Sequence, residues 1–575
     1  MIPALPVLKV PEDTTHPVQV VLRTYGIALS LSLIPGITPV LAAAVLSKKS
    51  SRQHLQLLRQ ILKRELGLGG FAFAITVGIG GGATLKAVWD AINDHTPEGD
   101  KENSKDRLIR RVKQLLDIPG LSDAQRTFAS YCATTSIAIA LLQAGRHRLN
   151  LQGRPKPSRT LDLTLLFFVR AVDAFVQYVV LRRIASVRRD PNLPEVAPRD
   201  GIRQRLMQYK LDVQQQASKE VLTTRIDGLV FWACSARIMW CFFYAPNKLP
   251  RSYVRWIGAL ARVDERLLKT LDLIRTGDWS YIHGSRDHSH LLQTMSSDLG
   301  HPAVWGNPVA LPSHGGKQAT KTWQELGVSS RPGLGGIPCE IVHGGTGSSF
   351  GLEHSCTSNA FLRGLKAFTQ CVPIYIPVHF LPPLLSKPRI FLNPHRVLST
   401  LLGALRSAGF LTTFIASYWY AVCLTRSKVL ARLLPFVSHD FWDGPYGCIM
   451  AGCLACGSSI WIEHPRRRGE MAMYVLPRAI RTLIPEGLIR GGNRGMLALE
   501  RIVFIASLSF LITVGSHKPE CLRGLSRWAS AFVLNGPNAA FWQSRRTLEP
   551  DRPPTPSLPP TPKLKFVNDT LAGSA

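Results

Sequence analysis

Uncharged apolar runs alternate with strongly basic stretches along most of this chain, and the alternation predicts helices that cross a membrane. A helix rises about 1.5 Å per residue, so about 20 apolar residues cover the ~30 Å hydrocarbon core of a bilayer. The runs that approach or reach this length are 25–46, 67–85, 128–144, 161–181, 228–246, 407–425 and 444–462. A shorter run, 502–515, follows Glu500 and Arg501 and is expected to be re-entrant. The pattern therefore predicts an all-α, polytopic helical membrane protein with roughly seven candidate spans.

Two of these runs are rich in small residues, which let the backbones of neighbouring helices come close together. Close packing replaces the hydrophobic driving force that helices lack inside lipid. A glycine-rich phosphate loop is the alternative for the run 67–85, but no GK[ST] ending and no preceding strand pattern accompany it. The predicted helix-packing positions are Gly78, Gly82, Gly447, Ala451, Gly452 and Gly457.

Three charged residues lie inside apolar runs, where charges are costly and often functional. Arg170 and Asp173 are three positions apart and share one face of a helix, while Arg237 lies near the middle of the run 228–246. These residues are candidates for a polar pathway. The favoured alternative is that Arg170 and Asp173 neutralise each other against a neighbouring helix, because a pair of opposite sign needs no substrate to explain it.

Composition and charge point to lipid headgroups as the partners of the basic stretches. The chain has 575 residues, of which only 19% are charged, and a mean hydropathy of +0.06, which is apolar for a soluble protein. Its net charge of +31 is compatible with nucleic acid or with an anionic membrane. Because the charges flank apolar runs and no nucleic-acid-binding signature is present, we expect membrane lipids as partners and no nucleic acid, with a homo-oligomer left open. The predicted headgroup-binding residues are Arg466, Arg467, Arg468, Arg478 and Arg481.

Cysteine and histidine residues offer a candidate metal site. The 11 cysteines are scattered and do not form the disulfide framework of a secreted domain. Cys339, His343, His354 and Cys356 supply four nitrogen and sulfur donors in a short segment, although their spacings differ from those of common zinc modules. Zinc is therefore one hypothesis for this block, and packing thiols or a redox pair are the others. No catalytic motif occurs in a suitable setting, so we expect no enzymatic activity.

Several short motifs occur in an order that suggests a family. IPCEIVHGG at 337–345, HSC at 354–356 and IYIPVHFLPPLL at 374–385 precede the glycine-rich run 444–462, which is followed by IE, RRRGE and Tyr474. This order resembles the transmembrane protein 135 family, although the glycine-rich insert 344–352 is longer here. The resemblance implies a non-enzymatic integral protein of peroxisomal or mitochondrial membranes that acts in organelle dynamics and lipid homeostasis.

Two other functions remain open beside the one that the resemblance implies. A transporter or lipid-conducting protein would use Arg170, Asp173 and Arg237, whereas a membrane tether or scaffold would use the basic surfaces and the proline-rich tail.

Shifts in composition along the chain divide it into six parts. The segment 276–336 is rich in glycine and lacks an apolar period, which is typical of a linker, and proline with threonine dominates the C-terminus, which predicts disorder. The predicted parts are an N-terminal segment 1–24, a membrane region with basic loops 25–275, a linker 276–336, a Cys/His-rich block 337–385, a second membrane region 386–515 and a basic, proline-rich tail 516–575.

Overall fold

The computed structural model describes most of the chain, and the described part is helical. The described residues are 11–46, 51–94, 121–147, 160–187, 201–261, 263–285, 287–328, 331–386, 393–485, 487–488 and 494–541. Within these ranges there is no β-strand. Seven helical segments are long and apolar enough to cross a membrane: Pro17–Thr38, Phe71–Asn93, Asp123–Ala144, Leu161–Val180, Val221–Tyr244, Pro394–Leu433 and Arg494–His517. The prediction of a polytopic helical membrane protein is confirmed.

Five long helices form one bundle around a core that includes Tyr131 and Phe504. The helices of the N-terminal half are α1 (Pro17–Leu46), α2 (Ser51–Glu65), α3 (Phe71–Asp94), α4 (Asp123–His147), α5 (Leu161–Val187) and α6 (Gly201–Tyr244). In the bundle, α3 packs between α1 and α4, and α4 and α5 pack against a helix from the C-terminal half, Arg494–His517.

A second and larger core joins α6 to the C-terminal half of the chain. The helices after α6 are α7 (Arg251–Ala261), α8 (Glu265–Thr276), α9 (His290–Asp298), α10 (Lys317–Glu325), α11 (Cys339–His343), α12 (Cys356–Ser386), α13 (Pro394–Cys423), α14 (Leu430–Leu433), α15 (His439–Trp442), α16 (Cys448–Cys456), α17 (Pro465–Leu483), α18 (Arg494–His517), α19 (Gly524–Asn535) and α20 (Pro537–Phe541). A tightly packed hairpin of α12 and α13 is its largest element, and α17 packs against both α6 and α5. The helix α17 therefore connects the two cores.

The run 444–462 was predicted to be a continuous span, and the structure corrects this. It forms the nine-residue helix α16 followed by a 3₁₀ helix, Gly457–Ile462. Cys453, Cys456 and Ile460 are fully buried against α6 and α13. The run therefore lacks charge because it is buried inside the protein. A buried segment and a membrane span have similar composition, so the sequence pattern did not distinguish them.

The run 502–515 was predicted to be short and re-entrant, and the structure corrects this as well. It belongs to the 24-residue helix α18, which is long enough to span. Glu500 accepts a hydrogen bond from Thr160, and Arg501 donates to the side-chain oxygen of Gln143 at 2.6 Å. These partners on and beside α4 and α5 allow two charged residues to continue an apolar helix.

Two of the predicted domain limits also need correction. The segment 276–336 is no linker, since it contains α9 and α10 and buries Trp279, Trp305 and Trp323 in the larger core. Its few large aromatic anchors replace the regular apolar period that the sequence lacks. The segment 516–575 contains the end of α18 and then α19, which packs against α18 and α1. The disorder predicted for the proline-rich end, 548–575, lies outside the described residues.

The predicted small-residue positions lie at close contacts with neighbouring helices or turns. A Cβ atom at Gly78 would lie 3.1 Å from Ala138 Cβ, and one at Gly82 would lie 2.1 Å from Tyr131 Cδ1. Gly457 meets the backbone of Trp232, with 3.0 Å between its ideal Cβ and Trp232 Cα. Gly447 lies in the turn before α16, where a Cβ would be 2.2 Å from the Trp442 carbonyl, and Ala451 is half-buried.

Replacement of Gly452 with alanine is expected to lower the stability of the solubilised protein by about 1–3 kcal/mol, as overpacking does elsewhere. An alanine Cβ there would lie 2.8 Å from both Tyr418 Cε2 and Val422 Cγ2 of α13. The control is Gly409→Ala in α13, which meets no atom within 4 Å and should be neutral or stabilising because alanine favours helix. Thermal unfolding in detergent compares them, and equal effects of the two substitutions would contradict this contact.

Candidate functional site

An apolar cavity of about 340 Å³ lies between α6, α7, α13 and α17. Aromatic and aliphatic side chains supply nearly all of its wall, and Tyr375 of α12 closes one part of it. Among the lining residues are Phe231, Met239, Phe243, Trp256, Phe410 and Phe414. Cavities with such walls stay dry and accept apolar ligands.

The size of the cavity limits what it can hold. An engineered cavity of about 150 Å³ binds benzene, and ligand pockets generally span about 300–1,000 Å³. The volume of about 340 Å³ is near the lower end of that range. It suits one hydrocarbon chain better than the two chains of a phospholipid.

Few polar residues line this cavity, and they include Tyr418 and Glu470, of which Glu470 is paired with Arg170 of α5. Tyr418 is 3% exposed, and its hydroxyl has no hydrogen-bond partner among the described residues. A buried hydroxyl without a partner is costly. The oxygen of this hydroxyl is inaccessible, so it is not open to the space of the cavity.

A cation lies next to the aromatic wall of the cavity. The guanidinium carbon of Arg478 is 5.2 Å from the ring centre of Tyr253 and 3.9 Å from that of Tyr474, and both tyrosines line the cavity. Arg478 Nη1 donates to the Tyr474 carbonyl oxygen at 2.6 Å, and within the described ranges no carboxylate pairs with Arg478. Its charge is therefore available to an anion beside Tyr253 and Tyr474, whereas the lining itself contains the carboxylate of Glu470, which is paired with Arg170.

The predicted pairing of Arg170 with Asp173 is wrong, because each residue has a partner on another helix. Arg170 donates to both carboxylate oxygens of Glu470 in α17, at 3.2 and 2.7 Å. Asp173 accepts from Arg523, which also donates to Asp227 Oδ2 of α6 at 3.1 Å. Arg170 connects α5 to α17. Asp173 connects α5 to Arg523 at the start of α19, and through Arg523 to α6.

Arg237 also has partners in the protein. Its Nε donates to the hydroxyl of Thr482 in α17 at 3.1 Å, and its guanidinium carbon lies 4.9 Å from the ring centre of Trp240. Together with the pairs above, these contacts account for the three intramembrane charges by helix packing.

The basic residues predicted to bind headgroups fall into three different environments. Arg481 is 8% exposed and paired with Asp162 of α5, which corrects the prediction for this residue. Arg467 donates to His379 and to Ser407 Oγ, whereas Arg468 donates to the carbonyl oxygens of Trp461 and Glu463. Arg466 and Arg467 are exposed, Arg468 is half-buried, and Arg478 is half-buried beside the cavity. Arginines that are close together in the sequence therefore have different surroundings, because they lie on different faces of α17.

Three of the four predicted metal ligands come together in a buried cluster. The ligand atoms of Cys339, His343 and Cys356 lie within 4.8 Å of one another. A hydrogen bond with Cys356, together with burial, raises the pKa of Cys339 to about 12. His354 is not part of the cluster. It is 57% exposed in its side chain and donates to Glu340 Oε1 at 2.6 Å, an interaction that raises the pKa of His354.

A fourth donor that the sequence interpretation missed lies beside this cluster. Cys423, the last residue of α13, packs with Cys339 and Cys356, and its Sγ is 3.6 Å from His343 Nε2. Because it follows the block by a whole helical hairpin, spacing along the chain carried no signal for it. Only its position at the end of an apolar run distinguished it from other buried thiols.

No family model matches the chain, and no solved structure matches it.

Proposed function

We propose that this integral membrane protein binds a single-chain anionic lipid, a free fatty acid, in the cavity between α6, α7, α13 and α17. The observation that carries the proposal is the apolar cavity of about 340 Å³ with the unpaired cation of Arg478 at its aromatic wall. The protein acts without catalysis, as a lipid-binding or lipid-conducting component. Its place in peroxisomal or mitochondrial membranes, with a role in lipid homeostasis and organelle dynamics, follows the resemblance of its Cys/His-rich and RRRGE motifs to the transmembrane protein 135 family.

The chemistry of the cavity supports a fatty acid over a neutral lipid. The wall buries hydrocarbon, which contributes about 25 cal/mol for each Å² of apolar surface removed from water. Arg478 offers the planar guanidinium that pairs well with a carboxylate. A fatty alcohol would gain the burial of its hydrocarbon chain but little from Arg478, because its hydroxyl carries no charge. The difference in affinity between acid and alcohol therefore reports the role of Arg478.

We expect a long-chain fatty acid to bind purified full-length protein about tenfold or more tightly than the alcohol of equal chain length, since charge-assisted hydrogen bonds add ~1.4 kcal/mol or more. Competition against a fluorescent fatty acid in lipid nanodiscs measures both. Arg478→Gln should remove the preference for the acid and leave alcohol binding unchanged. Equal binding of acid and alcohol by the unmodified protein would refute the proposal.

Filling the cavity gives a second arm to this experiment. Met239 lines the cavity, so Met239→Trp should lower the affinity for both acid and alcohol. Leu229 lies on the same helix and is 54% exposed, which makes Leu229→Trp a matched control that should retain binding. If a folded Met239→Trp protein binds as the control does, the ligand lies elsewhere.

A further inference from the structure

We infer that Cys339, His343, Cys356 and Cys423 bind one zinc ion that fastens the block before α12 to the hairpin of α12 and α13. Two ligands lie on α11, one is the first residue of α12, and one is the last residue of α13. This site is separate from the lipid cavity and does not depend on it.

The distance between one pair of donors already fits a tetrahedral ion. With zinc–sulfur bonds of ~2.3 Å and zinc–nitrogen bonds of ~2.0 Å, tetrahedral angles place sulfur and nitrogen about 3.6 Å apart. Cys423 Sγ and His343 Nε2 are 3.6 Å apart. The ligand atoms of Cys339, His343 and Cys356 lie within 4.8 Å of one another, and that group does not include Cys423. Binding of one ion by all four donors therefore requires the thiol side chains, that of Cys423 included, to move closer together.

The histidine is held in the tautomer that a metal needs. Its Nδ1 lies 2.7 Å from the carbonyl oxygen of Glu353, and a carbonyl can only accept, so Nδ1 carries the proton. The lone pair of His343 is therefore on Nε2, the atom that faces the thiols. A hydrogen bond from the second ring nitrogen to a carbonyl is the usual support of a metal-bound histidine.

A buried arginine supplies the charge that a thiolate site requires. Three thiolates and Zn²⁺ together carry one negative charge. Arg331 is 1% exposed, and its Nη1 donates to Cys339 Sγ at 3.0 Å. Its other described hydrogen-bond partners are the neutral Ser427 hydroxyl and the Gly335 carbonyl, and no carboxylate pairs with it in the described part of the chain. An unpaired buried cation is costly, and the zinc–thiolate group balances it.

The donor set also indicates which metal and which role. Thiolate and imidazole ligands favour zinc over magnesium or calcium, which prefer oxygen. Four protein ligands leave no open position for water or substrate, which is the arrangement of structural zinc sites. The ion would hold the end of α13 against a block that begins far earlier in the sequence.

The first test is metal content and affinity. Full-length protein should contain about one zinc per chain when it is purified in detergent, without chelator, from zinc-replete cells. Elemental mass spectrometry measures this content. Competition with a chromophoric chelator should show affinity reduced about tenfold or more in Cys423→Ser and Cys356→Ser. Arg331→Gln should weaken binding by about 10–100-fold, as the loss of a group supporting a ligand does.

Two control variants test whether zinc binding is specific to these four residues. One removes a different buried thiol, and the other removes the histidine that was predicted as a ligand from the sequence. Cys371→Ser removes a fully buried thiol elsewhere on α12, and His354→Gln removes the exposed histidine, so both should retain zinc affinity. Cobalt substitution should give thiolate-to-cobalt absorption that Cys423→Ser reduces.

The unmodified protein supplies a test that does not rely on mutants folding. A zinc chelator should lower its melting temperature, and zinc but not magnesium should restore it. Protein without zinc, an intramolecular disulfide between Cys339 and Cys356, or an unchanged affinity in Cys423→Ser would each overturn the proposed site.

Discussion

Arg523→Gln is expected to destabilise the solubilised protein by about 3–5 kcal/mol, the usual cost of leaving buried charges without a partner. Arg523 donates to both Asp173 and Asp227, and each of these side chains is only 8% exposed. Loss of one guanidinium therefore strands two carboxylates between α5, α6 and the start of α19. The measurement is unfolding in detergent, followed by the loss of helical signal with temperature.

The matching rescue tests which charges belong together. Adding Asp173→Asn and Asp227→Asn to Arg523→Gln should recover most of the stability, because no uncompensated charge remains. The double variant Arg170→Gln with Asp173→Asn should be less stable than the unmodified protein, since it leaves Glu470 without its partner at 2.7 Å. If that combination were as stable as the unmodified protein, the two residues would form a pair after all.

Asp443→Asn is expected to produce a loss of similar size, about 3–5 kcal/mol, in the larger core. Arg426 donates to both oxygens of Asp443, and the hydroxyl of Tyr281 donates to Oδ2, with all three residues buried. The control is Asp272→Asn, which breaks an exposed pair with Arg275 and should cost no more than about 1 kcal/mol. The same unfolding assay compares the two variants.

The contribution of Asp443 should also depend on pH. Burial by itself would raise the pKa of Asp443, but the charge and hydrogen bonds of Arg426 outweigh it and lower the pKa to about 2. Since the folded pKa is below the unfolded value of 3.8, the stabilisation is present above pH 3.8 and is lost as the pH falls toward 2. The difference between the unmodified protein and Asp443→Asn should therefore narrow below about pH 4. A constant difference across that range would contradict the assigned ion pair.

Apolar runs and glycine spacing were informative because they report local properties. Six of the seven runs predicted as spans overlap segments that are long and apolar enough to span, such as Phe71–Asn93 and Val221–Tyr244. Gly82 and Gly452 were singled out as small residues in apolar surroundings, and both meet a tyrosine of another helix. Composition along a short stretch was sufficient for these features.

Partners that come from distant parts of the chain were not predictable in the same way. Arg170 and Asp173 suggest a pair when only one helix is considered, yet Glu470 and Arg523 are the residues that bind them. Cys423 joins the Cys/His cluster through the return of α13 beside α12. Each case depends on which helices become neighbours, and hydrophobic periodicity does not specify that.

The short helix α16 and the 3₁₀ helix after it have a consequence for the order in which the protein folds. Two carbonyl oxygens in and just before α16 accept from donors on α6, since Trp232 Nε1 donates to Leu454 O at 2.5 Å and Trp240 Nε1 donates to Pro445 O at 2.9 Å. Exposed to lipid, those carbonyls would lack partners, and a nine-residue helix is too short to cross the bilayer core. We therefore expect that this segment does not enter the membrane on its own during synthesis. We expect it to pack only after α6 and the hairpin of α12 and α13 have formed the space that it fills, which would make its packing a late step in biogenesis.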